Sequence, residues 1–509
     1  MRAGAVGSRR CRGDSVRSDF PEGASMQVSK TMWANGAKAA NGPTARARAM
    51  AASMALAVAM TLAIGGCTTT GGTSQKPPAV RINPIVAEAS ALARNHAGLN
   101  GQAKTENARA IERLLGGLDN AALTNEAAAL PAGDPLYNFA GRELLRRGLN
   151  LPRPFDQEAS DWRVNMGDRP PADRDGYRPP RKLAVLLPLS GTLATAASPV
   201  RDGFLSGYYG EHRARPDVAF YDTTGTPAGA VEAYRKAVTD GADYVLGPLG
   251  RDEVGALFKE SLTVPVLALN RAPTAPPTGN ASFALAPEDD GIAAAEYLLS
   301  RNARRAIVLV GGDDNLRRSV AAFREHLQGR GGVVVETLQI ADKPVDSTAA
   351  LQAALQKDGG ANAVFLALKG AQARAIAPQL ATAGLSDKLR VGTSQLLSGS
   401  GKAEQDKALD GIAFPTESWT VRGINGLPGA ESTGKDLPTA RGPAAKLFAF
   451  GYDAWLLTGY LERIAQSANG KVQGATGTLR IDGFGNILRT PAWSTFRDGM
   501  LIALDTTGG

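Results

Sequence analysis

From Arg181 onward the chain alternates short apolar runs with longer amphipathic ones, and this restricts the possible folds more than any other feature. "RKLAVLLPLSG" is a continuous apolar strand ending in a turn, followed by a helical stretch around "SPVRDGFLSGYYGE". "DVAFYDTTG", helix "AGAVEAYRKAVTDG", "ADYVLGPLG", helix "RDEVGALFKES" and "VPVLALNR" carry the pattern on. It resumes beyond "FALAPEDD" with "RRAIVLVGG", "GVVVETLQI", "NAVFLALKG" and "KLRVGTSQ", again separated by helical stretches. Strands apolar on both faces, joined by helices of ten to seventeen residues, predict parallel sheets covered on both sides. There are too many strands for one sheet of ordinary size. The expected fold class is therefore α/β, with two lobes and a cleft between them. Each strand ends in Gly, Asp, Asn, Ser or Thr, so the loops at the carboxyl edge, where open α/β sheets place ligands, are small and polar.

Lobe 1 is expected at about 181–286 and 413–471, and lobe 2 at about 287–412 and 472–509. The last part contains the long helix "GPAAKLFAFGYDAWLLTGYLERIAQS" and a hairpin turning at Asp482-Gly483-Phe484-Gly485-Asn486. Ahead of the lobes, 81–150 reads as helices: "PIVAEASALAR" and "ENARAIERLLGGL" space apolar residues by three and four, with a stop at Gly116-Gly117. Residues 151–180 are rich in proline and mixed charge, and read as a linker along the surface.

The first 80 residues have a different texture. Met50 to Ile64 is about fifteen apolar or small residues, short of the roughly 18–20 that cross a bilayer as a helix. Arg46 and Arg48 lie before it and Gly65-Gly66-Cys67 after it, the pattern of a secretory signal peptide over 1–66, with translation starting at Met1 or at Met26, Met32 or Met50. These residues carry nine Lys/Arg and three acids; removing them from 57 and 49 leaves 48 basic and 46 acidic residues, a net charge near +2. Nucleic-acid binding then loses its electrostatic argument. The only other cysteine is Cys11, so a mature chain of about 440 residues holds itself together by burial, without disulfide or zinc thiolate.

Two resemblances join these observations. Ile64-Gly65-Gly66-Cys67 resembles the bacterial lipobox, which implies a diacylglycerol thioether and an N-acyl chain on Cys67, with 67–80 as a lipidated tether. Thr68 follows the cysteine instead of the aspartate that holds such lipoproteins in the inner membrane, which favours the outer membrane. Residues 181–509 resemble the type I periplasmic-binding-protein fold and, more narrowly, the C-terminal domain of the penicillin-binding protein activator LpoA family. The resemblance rests on Leu186-Leu187-Pro188-Leu189-Ser190-Gly191, Arg201-Asp202-Gly203-Phe204 and Tyr221-Asp222-Thr223-Thr224-Gly225. Gly247-Pro248-Leu249, Leu267-Ala268-Leu269-Asn270-Arg271, Phe283-Ala284-Leu285-Ala286-Pro287-Glu288-Asp289, Phe450-Gly451-Tyr452-Asp453-Ala454 and the "TG.L..D..G.I.R" hairpin complete it. It implies a lipid-anchored protein on the periplasmic face of the outer membrane that stimulates a class A penicillin-binding protein. Members of the family often carry a large helical N-terminal domain, and here only about 85 residues stand in its place.

Residues expected to line the cleft are Ser190, Gly191, Thr192, Asp222, Thr223, Asn270, Arg271, Asp313, Thr393 and Ser394. In an amino-acid receptor, Ser190-Gly191-Thr192 would hold a ligand carboxylate and Asp313 its ammonium. The plainer account is that these side chains cap the following helices, since every such loop needs a cap. Arg271 is expected to clamp Asp222 or another acid across the lobe. Glu288, Asp289 and Asp290 suit the positive end of a helix, and Trp419 suits either a partner anchor or a cover over the cleft.

Enzyme signals are poor. His96, His212 and His326 are far apart, no G-x-S-x-G elbow is present, and Gly429 to Lys435 has phosphate-loop spacing but Asp436 where a Ser/Thr is needed. The expected function is regulation of a peptidoglycan synthase by protein contact, with no cofactor beyond the acyl chains. The alternative is a lipoprotein solute receptor of an ABC importer.

Overall fold

The computed structural model describes residues 83–156, 169–357 and 359–505. The signal peptide, Cys67 and the tether lie outside the described residues. No helix among the described residues is long and apolar enough to cross a membrane.

Four helices come first: α1 (Pro84–His96), α2 (Gly101–Gly116), α3 (Asn120–Ala129) and α4 (Tyr137–Arg146). Asn83 and Asp119 cap α1 and α3 by accepting from Ile85 and Ala122 N–H. Their apolar stripes meet in one cluster around Ile111, Leu115, Leu123 and Leu144, which extends to Phe484 and Leu488.

Lobe 1 follows as β1 (Lys182–Leu187), α5 (Ala194–Gly210), β2 (Asp217–Asp222), α6 (Pro227–Thr239), β3 (Tyr244–Leu246), α7 (Arg251–Leu257), β4 (Val266–Ala268) and β5 (Ala281–Ser282). The sheet is parallel, in the order β2-β1-β3-β4-β5. Strand β1 is central, and five of its six residues are buried, because both faces are covered. One face packs under α5 and the other under α6 and α7. Lobe 2 is α8 (Pro287–Leu299), β6 (Arg305–Val310), α9 (Asp314–Gly329), β7 (Val333–Gln339), α10 (Thr348–Leu355), β8 (Ala363–Ala367), α11 (Gly370–Thr382) and β9 (Leu389–Gly392). Its order is β7-β6-β8-β9. Edge strand β7 is half-exposed and carries Glu336 and Thr337, whereas central β8 is wholly buried.

The remaining elements are α12 (Ala403–Asp406), β10 (Phe414–Thr416), α13 (Ser418–Arg422), α14 (Ala430–Asp436) and α15 (Ala444–Gln466). After them come β11 (Val472–Gln473), β12 (Thr478–Ile481), β13 (Ile487–Thr490), β14 (Ala492–Arg497) and β15 (Met500–Leu504). Helix α15 crosses α5 with backbones almost touching: a Cβ on Gly451 would sit 1.9 Å from the Val200 carbonyl oxygen, and one on Gly203 equally close to that of Phe448. Only glycine permits this approach. In lobe 2, Gly291 performs the same task between α8 and α9.

Two lobe boundaries differ from those expected. Strand β10 pairs with β14 and joins the core of lobe 2, while β11, β12 and β13 belong to the core of lobe 1. The late crossovers therefore fall after Thr416 and after Thr490, not at 413 and 472. The reason is the hairpin turn, whose Asn486 bridges to Ser282 at the open edge of lobe 1. Part of the expected linker also packs: Tyr177 is 3% exposed in the lobe 1 core, and Arg178 pairs with Glu462 at 2.7 Å. From Ser418 to α15, where a loop was expected beyond "FPTESW", the chain holds the two short helices α13 and α14 and a 3-10 turn at Pro438–Ala440. Trp419 in α13 is 1% exposed, stacked on Phe448 and donating Nε1–H to the Pro428 carbonyl at 2.8 Å. It is a core residue, neither a partner anchor nor a cover over the cleft.

Candidate functional site

The first loop after β1 is organised by Asp222 at the end of β2. Its Oδ1 accepts from Leu189 N–H at 2.9 Å and Thr224 N–H at 2.8 Å, and its Oδ2 accepts from Ser190 Oγ at 2.6 Å. These donors, Ser190 first, hold the Asp222 carboxyl below its ordinary pKa. Gly191 turns the loop at φ +77°, where a side chain would meet the Thr224 carbonyl. Thr192 is exposed beside it, and Thr223 is fully buried beneath it. Asp313 caps α9 through Asn315 N–H and pairs with Lys369 at 3.3 Å. Slight burial opposes its ionisation, but Lys369 and the backbone donors outweigh that and lower its pKa. Of these, only Asp313 caps the helix that follows it; Ser190 and Asp222 tie the loops after β1 and β2 to each other, and α6 is capped by Thr226 instead.

A second group bridges the lobes. Arg271 of lobe 1 pairs with Asp289 at the start of α8, at 3.1 Å, and donates to the Ile487 carbonyl at 3.3 Å. The expected clamp exists, but its acid is Asp289 and not Asp222, which is occupied by its own loop. Asn270 positions that arginine, accepting from Arg271 N–H while donating to the Leu249 carbonyl, both at 2.9 Å. Next to Asp289, Asp290 accepts from Ser394 N–H at 2.9 Å and from Ser394 Oγ at 2.5 Å, and faces Arg489 at 3.5 Å. Lys446 of α15 then donates to Ser394 Oγ at 2.7 Å and lies 3.8 Å from Glu417. Thr393, 1% exposed, is buried behind Ser394.

The chain Arg489–Asp290–Ser394–Lys446–Glu417 thus passes from lobe 1 to lobe 2, back to lobe 1, and on to a crossover. Its carboxylates and Arg489 are almost fully withdrawn from water, where loss of one partner would leave an uncompensated charge. It is anchored deeper by Asp453 on α15, which accepts from Ala475 N–H (2.5 Å), Thr476 N–H (2.8 Å) and Thr476 Oγ (2.5 Å). Arg489 in turn donates to the Thr476 carbonyl at 3.3 Å. Burial pushes the Asp453 carboxyl up to about 7 against the pull of these donors.

Of the ten cleft candidates, Asn270, Arg271 and Ser394 come together at a groove of about 1200 Å³ between α2, α4 and both lobes. The other seven do not line it. Sequence reasoning missed Lys446 and Arg489, and assigned Asp289 and Asp290 only to a helix end. That helix opens lobe 2 directly after the first crossover, the one signal that could have placed its acids at the interlobe seam. Among the described residues no group of three or more His, Cys, Asp or Glu is placed to hold a metal ion.

Two parallel sheets, each covered on both faces and joined by three crossovers with a polar seam between them, define a type I periplasmic-binding-protein-like fold. Residues 177–499 match the family described as "LppC putative lipoprotein". The chain belongs to this family. The "Penicillin-binding protein activator LpoA" of Mannheimia succiniciproducens is 27% identical over 336 residues, covering 64% of this chain and 55% of that protein. The chain thus spans about half the length of the curated relatives it matches. The C-domain of Haemophilus influenzae LpoA (YraM), described as a regulator of PBP1A, superposes with TM-score 0.55 at 21% identity, covering 64% of this chain and all of that one. Full-length LpoA from the same organism gives 0.56 at 17% identity, over 82% of this chain and 78% of that one. At these identities the two structures speak for the fold.

Proposed function

We propose that this chain is a lipoprotein of the periplasmic face of the outer membrane, anchored by acyl chains on Cys67. In this reading it activates a class A penicillin-binding protein by direct contact and performs no chemistry of its own. Family membership and the activator names of its relatives support it. One observation carries the choice of contact over solute capture: the charged groups of the seam are already paired with each other across the lobes. A receptor gains affinity by closing polar loops around a zwitterion, which needs cleft charges of both signs free for the ligand. Here Arg271 is spent on Asp289, and Asp290 on Arg489 and Ser394.

Purified 68–509 should raise glycan polymerisation or crosslinking by a class A penicillin-binding protein from the same cell, and free amino acids should give no sizeable thermal shift. Micromolar binding of leucine or a similar solute, with the synthase unaffected, would favour the receptor instead. The anchor is tested separately. Cys67→Ala should accumulate as an unprocessed precursor without labelled palmitate, and undiminished labelling would remove the lipid from this account.

A further inference from the structure

The groove between the helical segment and the two lobes has a charge that its own residues do not balance. On its wall Glu288 pairs with Arg318 at 2.8 Å, Glu296 with Arg330 at 2.9 Å, and Asp289 and Asp290 with Arg271 and Arg489. Asp482, 3.9 Å from Arg142, has its oxygens taken by Phe484 and Asn486. Glu106 accepts from Gln102 at 2.6 Å. All the lining acids except Glu106 are thereby held by an arginine or by local donors, and Glu106, bonded to a neutral amide, leaves a single carboxylate against the arginines that follow. Three more arginines line the same groove: Arg109 on α2, Arg251 at the start of α7, and Arg301 just after α8. Among the described residues none of the three has a carboxylate within salt-bridge distance. Arg301 lies over the Tyr297 ring at 3.7 Å and reaches only the Tyr297 carbonyl and Ser300 Oγ. A second observation points the same way. The Nε–H groups of Arg142, Arg271 and Arg489, all lining residues, are buried without a hydrogen-bond partner.

A guanidinium presents a planar fork of donors that matches a carboxylate in two parallel hydrogen bonds. A concave site with low-dielectric walls and one sign in excess concentrates the opposite sign. The volume decides the size of the ligand. Small-molecule sites occupy roughly 300–1000 Å³, and a groove of about 1200 Å³ open along one side accepts several extended residues at about 3.4 Å each. We propose that this groove takes an acidic peptide segment of a partner protein, whose carboxylates pair with Arg109, Arg251 and Arg301. Each arginine comes from a different body (helical segment, lobe 1, lobe 2), so the segment would tie all three together. This inference stands apart from the activator reading, because it does not depend on which protein supplies the segment.

The test uses the full-length protein purified from membranes in detergent, with a fluorescein-labelled octaglutamate peptide read by anisotropy at low salt. Wild-type protein should bind it and ignore octalysine. The triple variant Arg109→Gln/Arg251→Gln/Arg301→Gln removes no ion pair and, of other contacts, only those of Arg301 with Tyr297 and Ser300, so its melting temperature should fall by no more than a few degrees while it binds at least tenfold more weakly. A control of equal charge change, Arg94→Gln/Lys259→Gln/Lys407→Gln at exposed sites off the groove, should bind within twofold of wild type. No binding by wild type, equal binding by the groove variant, or equal loss in the control would overturn the proposal. So would displacement by inorganic pyrophosphate at the concentration of the peptide, which would make the site one for small anions.

Discussion

The helical segment and the two lobes are held together by different physics. Each lobe sandwiches its sheet between apolar layers and brings helices into backbone contact at Gly203, Gly291 and Gly451. The four helices share one modest cluster, and charge completes it. Arg147, its side chain fully buried, pairs with Glu143 at 2.8 Å and donates to the Leu115, Gly116 and Leu118 carbonyls at the end of α2. Glu112 sits between Arg142 and Arg146, and Arg142 lies 4.1 Å from the centre of the Phe484 ring, fixing α4 to the β12–β13 hairpin. A segment of this size buries a comparatively small fraction of its apolar surface and is marginal on its own. Ion pairs and a cation–π contact join it to the hairpin alongside the shared apolar contacts, and that makes the segment sensitive to single charges and to acid.

The largest expected effect breaks the segment while sparing the lobes. Arg147→Ala strands Glu143 and three carbonyls, at about 3–5 kcal/mol. Hydrogen exchange should quicken in α2 to α4 and stay slow in β1 and β6; uniform quickening would mean the segment and lobes unfold as one. Gly451→Ala does the reverse, forcing α15 away from α5 at about 1–3 kcal/mol. It should lower the main thermal transition, and an unchanged midpoint would contradict the close crossing. Asp453→Ala leaves two N–H groups and a hydroxyl unpaired in the core, at about 1–3 kcal/mol. Because the folded Asp453 pKa is about 7, above its unfolded value, its contribution is complete below about pH 4 and fades as pH rises through 7. The deficit of Asp453→Ala, measured by denaturant melts, should therefore be larger at pH 4 than at pH 8.

Glu112 should show the smallest effect and the opposite sign. Burial opposes its charge, but Arg142 and Arg146 outweigh burial and bring it to about 2. Folded pKa below unfolded means stability that is full above about pH 4.5 and lost as pH falls toward 2. With 24% of the side chain exposed, solvent screening keeps the contribution small. Acid should loosen α2 and α4 before the lobes, and Glu112→Gln should abolish that early step.

Much of the fold was legible before any coordinates. "KLAVLL" and "AVFLA" have no polar face and can only be central strands; "VVVETLQ" has polar residues and lies at an edge. The Asp482 turn was readable too, because its carboxylate accepts locally, from Phe484 and Asn486. The site was legible only in part. Ser190, Asp222 and Asp313 were found because strand ends are visible in sequence, yet they serve loops and caps. Lys446 was missed because, three residues into an apolar helix, nothing nearby in sequence marks it as facing Ser394.

The sequence by itself determined which segments are strands and helices, that the sheets are covered on both faces, and that a cysteine follows an apolar run with a lipobox-like approach. Each of these follows from periodicity or near-neighbour chemistry, which acts within a few residues. Tertiary structure alone decided where the chain changes lobes after Thr416 and Thr490. It also decided that Arg271 meets Asp289 and that Asp290, Ser394, Lys446 and Arg489 share one seam. Asp290 and Ser394 are 104 positions apart. A buried charge pairs with whichever opposite charge the folded backbone delivers within a few ångströms, and no local pattern in the chain encodes that distance.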